Sequence, residues 1–214
     1  MSPLQNMVVR RPHIVSTRTL GIASPASITV LPSADTFLYS LNPTTNYDTS
    51  TLLQVGGAKG YISRTWAKPD FSSISAGVTF ISAYMSIFPT VEESSNARTM
   101  YAHRCLRDVV SNQATWNIWK TSNNWGTAGC SNATTDYDGA VVLGSMSVSA
   151  SPTLGDELRM NLDATQFQKL YDGTLVNNGI VLFVDTQVSD VIEYGSREYD
   201  VDTSKRITFT VEYS

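Results

Sequence analysis

Three of the four tryptophans, Trp116, Trp119 and Trp125, fall in one polar segment rich in Asn, Gly and Thr, with Tyr137 close behind. Flat rings bind sugars by stacking on their apolar C–H faces, and neighbouring amides hydrogen-bond the hydroxyls. Trp119, Trp125 and Tyr137 are therefore the candidate glycan-contacting residues; the alternative is that the segment folds over the core. Trp116 is read as a plug for the core beneath. Asp136-Tyr137-Asp138-Gly139 sets two carboxylates before a glycine turn. Oxygen-rich loops of this kind suit calcium. Asp136 and Asp138 are the candidate ligands, and calcium is the one cofactor the sequence suggests; a solvated, turn-forming pair is the alternative.

Other chemistry is poorly supplied. There are two histidines, His13 and His103. A Ser-His-Asp site would need His103, yet no Gly-x-Ser-x-Gly elbow occurs, so His103 reads as a strand residue with a satisfied ring. Cys105 and Cys130 lack zinc-ligand spacing with the histidines and read as small core residues, reduced if the chain stays in a cytosol. Asp185, Asp190, Glu193, Glu198, Asp200 and Asp202 form an acidic tract. A glycosidase needs two carboxyls at a fixed separation, and nothing here sets one. The chain is expected to bind or build rather than to catalyse.

Charge is unevenly distributed. The net charge is -4, but residues 1–34 hold Arg10, Arg11 and Arg18 and no acid, leaving 12 bases against 19 acids beyond them. An acidic body argues against nucleic acid as the partner of the whole chain. A basic arm can dock on an acidic neighbour, which makes Arg10, Arg11 and Arg18 the candidate partner-binding residues; a solvated tail is the other reading. No apolar run has the length of a secretion leader or a membrane span, so neither export nor a membrane is expected.

The elements that must position these residues are mostly strands. Residues 1–27 read as an extended arm broken by Pro3, Pro12 and Pro25. Short β-type runs follow at Thr51 to Val55 and Tyr61 to Ala67, with Gly56-Gly57 and Gly60 as turn residues. Val78 to Phe88 reads as a strand with Ile81, Ala83, Met85 and Ile87 on one apolar face. Thr99 to Leu106, Ala140 to Ala150 and Glu157 to Leu162 are further strands, separated by a loop over Ser111 to Asp138. Asp163, with Gln166 three residues on, predicts a helix start, and Gly173 its end. Gly179 to Val184 is apolar enough for a central strand, and Arg206 to Tyr213 alternates cleanly. About ten strands and one short helix imply an all-β sandwich or jelly roll with an extended N-terminal arm.

Several segments together resemble the DNRLRE-domain family. They are Ala34-Asp35-Thr36 with Asn42-Pro43-Thr44-Thr45-Asn46-Tyr47 and Leu53-Gln54-Val55-Gly56; Asp70-Phe71-Ser72-Ser73-Ile74; Leu106-Arg107-Asp108 leading to Gln113-Ala114-Thr115-Trp116-Asn117 and Trp125-Gly126-Thr127-Ala128-Gly129; Asp172-Gly173-Thr174 with Asn177-Asn178-Gly179; and Ser196-Arg197-Glu198-Tyr199. The likeness runs from about residue 28 to 214. Asp48, Val109 and Ile207 stand where the family commonly has glycine, tryptophan and proline. The resemblance implies a β-sandwich binding module, carried by bacterial surface proteins and polysaccharide-degrading enzymes or, as a stand-alone chain, by tailed-phage particles. The expectation is a virion structural protein: a capsid decoration or tail-associated subunit, held by its arm on other virion proteins. It would be a homo-oligomer, with a trimer as the guess, and would touch host glycans. The alternative is a carbohydrate-binding module of a bacterial protein.

Overall fold

The computed structural model describes residues 24–58, 60–93, 96–185 and 190–214. The first strands are β1 (Ala26–Val30), β2 (Pro32–Tyr39), β3 (Leu52–Ala58), β4 (Tyr61–Pro69), β5 (Phe80–Ile87), β6 (Pro89–Glu93) and β7 (Arg98–Arg104). A small hairpin follows, β8 (Ile118–Lys120) and β9 (Asn123–Asn124). Then come β10 (Gly144–Val148), β11 (Leu158–Leu162), the helix α1 (Ala164–Tyr171), β12 (Ile180–Val184), β13 (Asp190–Gly195) and β14 (Thr208–Tyr213). The expected arm residues Arg10, Arg11 and Arg18 lie outside the described residues.

The strands pair antiparallel in the order β1-β14-β5-β11-β10-β7-β12-β4-β3-β13-β6, with β2 along the other edge of β4. This curled sheet closes on a core to which nearly every strand contributes. Phe37, Leu53, Val55, Met85, Ile87, Met100, Leu182, Ile192, Tyr194 and Phe209 are among its buried members. The result is the sandwich-like all-β fold that the alternation of Ile207, Phe209 and Val211 predicts. Each aliphatic side chain fully buried here contributes about 1.5–3 kcal/mol. The helix begins where Asp163 Oδ1 accepts from the Gln166 N–H at 3.0 Å, and it buries Phe167 and Leu170 against the core.

One face of β5 departs from expectation. Ala83, Met85 and Ile87 point inward, but Ile81 is exposed and Phe80 is buried in its place. The ladder with β14 shifts register between Glu212 and Tyr213, so Tyr213 faces Phe80 while Glu212 faces Ser82. A bulge of this kind reverses which residue turns inward.

β12 and β4 are covered on both sides. Ile180, Leu182 and Val184 enter the main core, while Val181 belongs to a second cluster with Leu38, Trp66, Cys105, Val109, Ala114, Trp125 and Cys130. This is why the 180–184 run is apolar at successive positions: a strand buried on both faces has no polar side. The second cluster is roofed by residues 105–139, and the candidate residues lie in that roof. No described helix is long and apolar enough to cross a membrane.

Candidate functional site

The roof is fastened to the sheet by polar side chains that would be costly to bury unpaired. Arg64 projects from the outer face of β4 and is buried. Its Nη1 donates to the carbonyl oxygens of Gly129 at 2.8 Å and Cys130 at 3.0 Å and to Ser131 Oγ at 2.6 Å. Its guanidinium sits between the rings of Phe183 at 5.3 Å and Trp116 at 6.0 Å. Burial holds its pKa below the usual arginine value. Asn46 Nδ2 secures the other end of the roof, donating to the carbonyls of Ser111 at 2.6 Å and Ala114 at 2.7 Å.

Asp136 is the hub of the roof. Its carboxylate has no solvent exposure. Oδ1 accepts from the Gly126 N–H at 2.7 Å and Arg107 Nε at 3.2 Å, and Oδ2 from the Thr127 and Asn132 N–H groups at 3.0 and 3.1 Å. Burial pushes its pKa up, but the N–H groups of Thr127, Gly126 and Asn132, with Arg107, outweigh burial and hold the carboxyl below its ordinary range. Asp138 turns elsewhere and pairs with Arg104 at 3.0 Å. The two expected calcium carboxylates thus diverge, and each is hydrogen-bonded to protein donors. Among the described residues no group of three or more His, Cys, Asp or Glu could hold a metal ion.

The aromatic candidates separate too. Trp125 is 5% exposed, and its Nε1 donates to the Thr115 carbonyl at 2.9 Å. Its ring packs within the second cluster, which leaves little of either face for a sugar. Tyr137 is half-buried and meets His103 and Phe183 edge-on, at 5.1 and 5.2 Å between centroids. His103 is buried, stacks on Phe183, and lies 2.9 Å through Nδ1 from the Asp138 carbonyl, to which that nitrogen donates. Trp116 packs over the second cluster as expected, with its ring against Gly129. Gly129 has φ +75, and a Cβ there would sit 2.4 Å from the Trp116 ring, so only glycine fits.

Trp119 keeps a ring partly open to solvent. It lies on β8, packed against the second cluster from the edge. Lys120 Nζ is 4.4 Å and Arg107 Cζ 5.9 Å from its ring centroid. In the same hairpin, a shallow cleft of about 350 Å³ is lined by Asn117, Asn124, Gly126, Thr127, Ala128 and the rim of Trp125. Asn117, Asn124, Lys120 and Arg107 are the functional candidates that single-residue reasoning missed. The signal available was the alternation Asn117-Ile118-Trp119-Lys120, which a short strand displays on two faces.

A β-sandwich that presents a ring, two amides and a threonine on a hairpin and the loop after it has the equipment of a binding module. Residues 26–135 match the sequence profile of carbohydrate-binding module family 96, and the chain belongs to that family. The match takes in Trp119 and the cleft and stops one residue before Asp136. No curated protein matches the chain significantly.

Proposed function

We propose that the chain binds a polysaccharide through the β8–β9 hairpin, with Trp119 as the stacking ring and Asn117, Asn124 and Thr127 as hydroxyl partners. The observation that carries this reading is that one hairpin bears a half-buried Trp119 and, at its base, an amide-lined cleft, in a chain of a carbohydrate-binding family. An apolar ring supplies area, and the amides supply direction, each able to donate and accept. Lys120 overlies the ring in the free protein; its flexible stem yields readily to a sugar. The ligand is a neutral glycan, because the body beyond residue 34 carries 12 bases against 19 acids and repels a polyanion. The DNRLRE-like segments, which continue to Tyr199, extend the same module over the rest of the chain.

The test is a glycan array followed by titration of the best ligand against wild type and Trp119→Ala. The variant should bind at least about tenfold more weakly, with its melting temperature within about 2 °C of wild type. Unchanged affinity would place the site elsewhere on the sandwich.

A second reading rests on the three arginines and no acid of residues 1–34. On this reading the arm anchors the module on the acidic surface of an assembly, as in a phage particle, and the sandwich is displayed as a homo-oligomer that samples host glycans. Deleting residues 1–27 should abolish particle binding while leaving glycan binding intact. Normal particle binding by the truncated chain would remove the arm as anchor.

A further inference from the structure

Cys105 and Cys130 bracket the segment that bears the β8–β9 hairpin, and both are fully buried free thiols. Each is held by a rigid element. The Cys105 N–H donates to the Gly179 carbonyl at 2.9 Å, at the entry to β12. The Cys130 carbonyl accepts from Arg64 of β4 at 3.0 Å. Their sulfurs converge on one acceptor, the Asp136 carbonyl, 3.4 Å from Cys105 Sγ and 3.7 Å from Cys130 Sγ. Cys105 Sγ also lies 3.6 Å from the Arg107 carbonyl. Cys130 takes φ 57, in the left-handed region that a β-carbon disfavours, so its position is imposed by its surroundings.

We infer that Cys105 and Cys130 are a disulfide-forming pair that, when oxidised, locks the roof carrying the hairpin. Two inert core cysteines need only apolar neighbours; these two instead aim both sulfurs at one point. The oxidant is a small disulfide such as oxidised glutathione. One cysteine thiolate attacks it, forming a mixed disulfide and releasing one glutathione. The second thiolate then displaces the other glutathione and closes the Cys105–Cys130 bond. The chain gives up two electrons, and its two thiol protons leave on the two glutathiones. Burial, then the hydrogen bond with Cys105, pushes the Cys130 thiol well up, so the folded reduced chain has little thiolate to react. The bond therefore forms while the chain folds or the roof opens. It closes a loop of about 25 residues, which removes freedom from the unfolded chain and raises the melting temperature by about 10 °C. This inference is independent of which glycan is bound, or whether one is.

The experiment is to refold the full chain from denaturant in parallel, in a glutathione buffer of secretory-compartment poise and in dithiothreitol. The oxidised sample should contain no disulfide between chains and be lighter by about 2 Da per chain, with a linked Cys105–Cys130 peptide and the higher melting temperature. The same comparison on the double variant Cys105→Ala, Cys130→Ala should show no difference between buffers. Two free thiols, glutathione adducts or intermolecular links in natively folded oxidised chain would each overturn the inference. So would a bond that lowers the melting temperature, or a shift that survives in the double variant.

Discussion

Asp35 and Arg197 lie 162 positions apart, yet the Arg197 backbone N–H donates to Asp35 Oδ2 at 2.9 Å. The bond fixes the segment after β13 over the start of β2, and so joins the first and last of the motifs that carry the family resemblance. Asp35 is fully buried, and its Oδ1, like Glu198 Oε2, finds no donor among the described residues. The Glu198 carboxylate lies near enough to disfavour the ionised form of Asp35. Arg197 Nε, paired with Glu198 Oε1, balances the remaining negative charge, while the Tyr194 hydroxyl donates to Thr65 Oγ1 at 2.6 Å.

Burial first, and then repulsion from Glu198, push Asp35 up to about 7 against the N–H bond from Arg197 that lowers it. The folded chain thus keeps a proton that the unfolded chain releases near pH 4. Stability from this group is full at acid pH and is lost as pH rises through about 7. The melting temperature should fall between about pH 4 and pH 7 and level off above, and Asp35→Asn, which cannot ionise, should flatten that slope. An identical slope in the variant would assign the titration to another group.

Asp136→Ala strands three backbone N–H groups and Arg107. Unsatisfied buried donors cost about 1–3 kcal/mol each, so the loss should reach about 3 kcal/mol or more. Chemical denaturation measures it, and near-ultraviolet circular dichroism should show the tryptophan signals of the roof weakening. Added calcium should leave the wild-type midpoint unchanged, since the carboxylate has no vacant lone pair.

Trp125→Ala and Trp119→Ala should part company. Removing the buried Trp125 leaves a cavity and an unpaired Thr115 carbonyl, for a stability loss of about 3–5 kcal/mol. Removing Trp119 should reduce glycan affinity at little cost in stability. Equal destabilisation by both would mean that Trp119 is as much a packing residue as Trp125.

The main sandwich was legible because its signals are local. The alternation of β14, the doubly buried run of β12 and the Asp163 cap each need only a few neighbouring residues to be read. The roof was not legible for the opposite reason. Residues 111–138 are polar in composition, and what buries Trp125 and Asp136 is supplied from a distance, by Arg64 and Val181 beneath. A carboxylate collecting amide N–H groups and one collecting a cation look alike as Asp-Tyr-Asp-Gly. The Phe80 and Ile81 exchange was hidden for a smaller reason: period-two reasoning has no means of placing a bulge.

The pairing of β1 with β14 sets how the module carries load. Ala26 faces Tyr213 and Val30 faces Phe209, so residue 24 and Ser214 leave from the same end of one antiparallel ladder. Tension between those ends opens the ladder like a zipper, stressing one hydrogen-bonded pair at a time instead of all of them in shear. β1 is an edge strand with β14 as its sole ladder partner among the described residues, so it peels first, from Ala26 toward Val30. Pulled by both ends, the molecule yields at this seam well before force reaches the roof over β4 and β12.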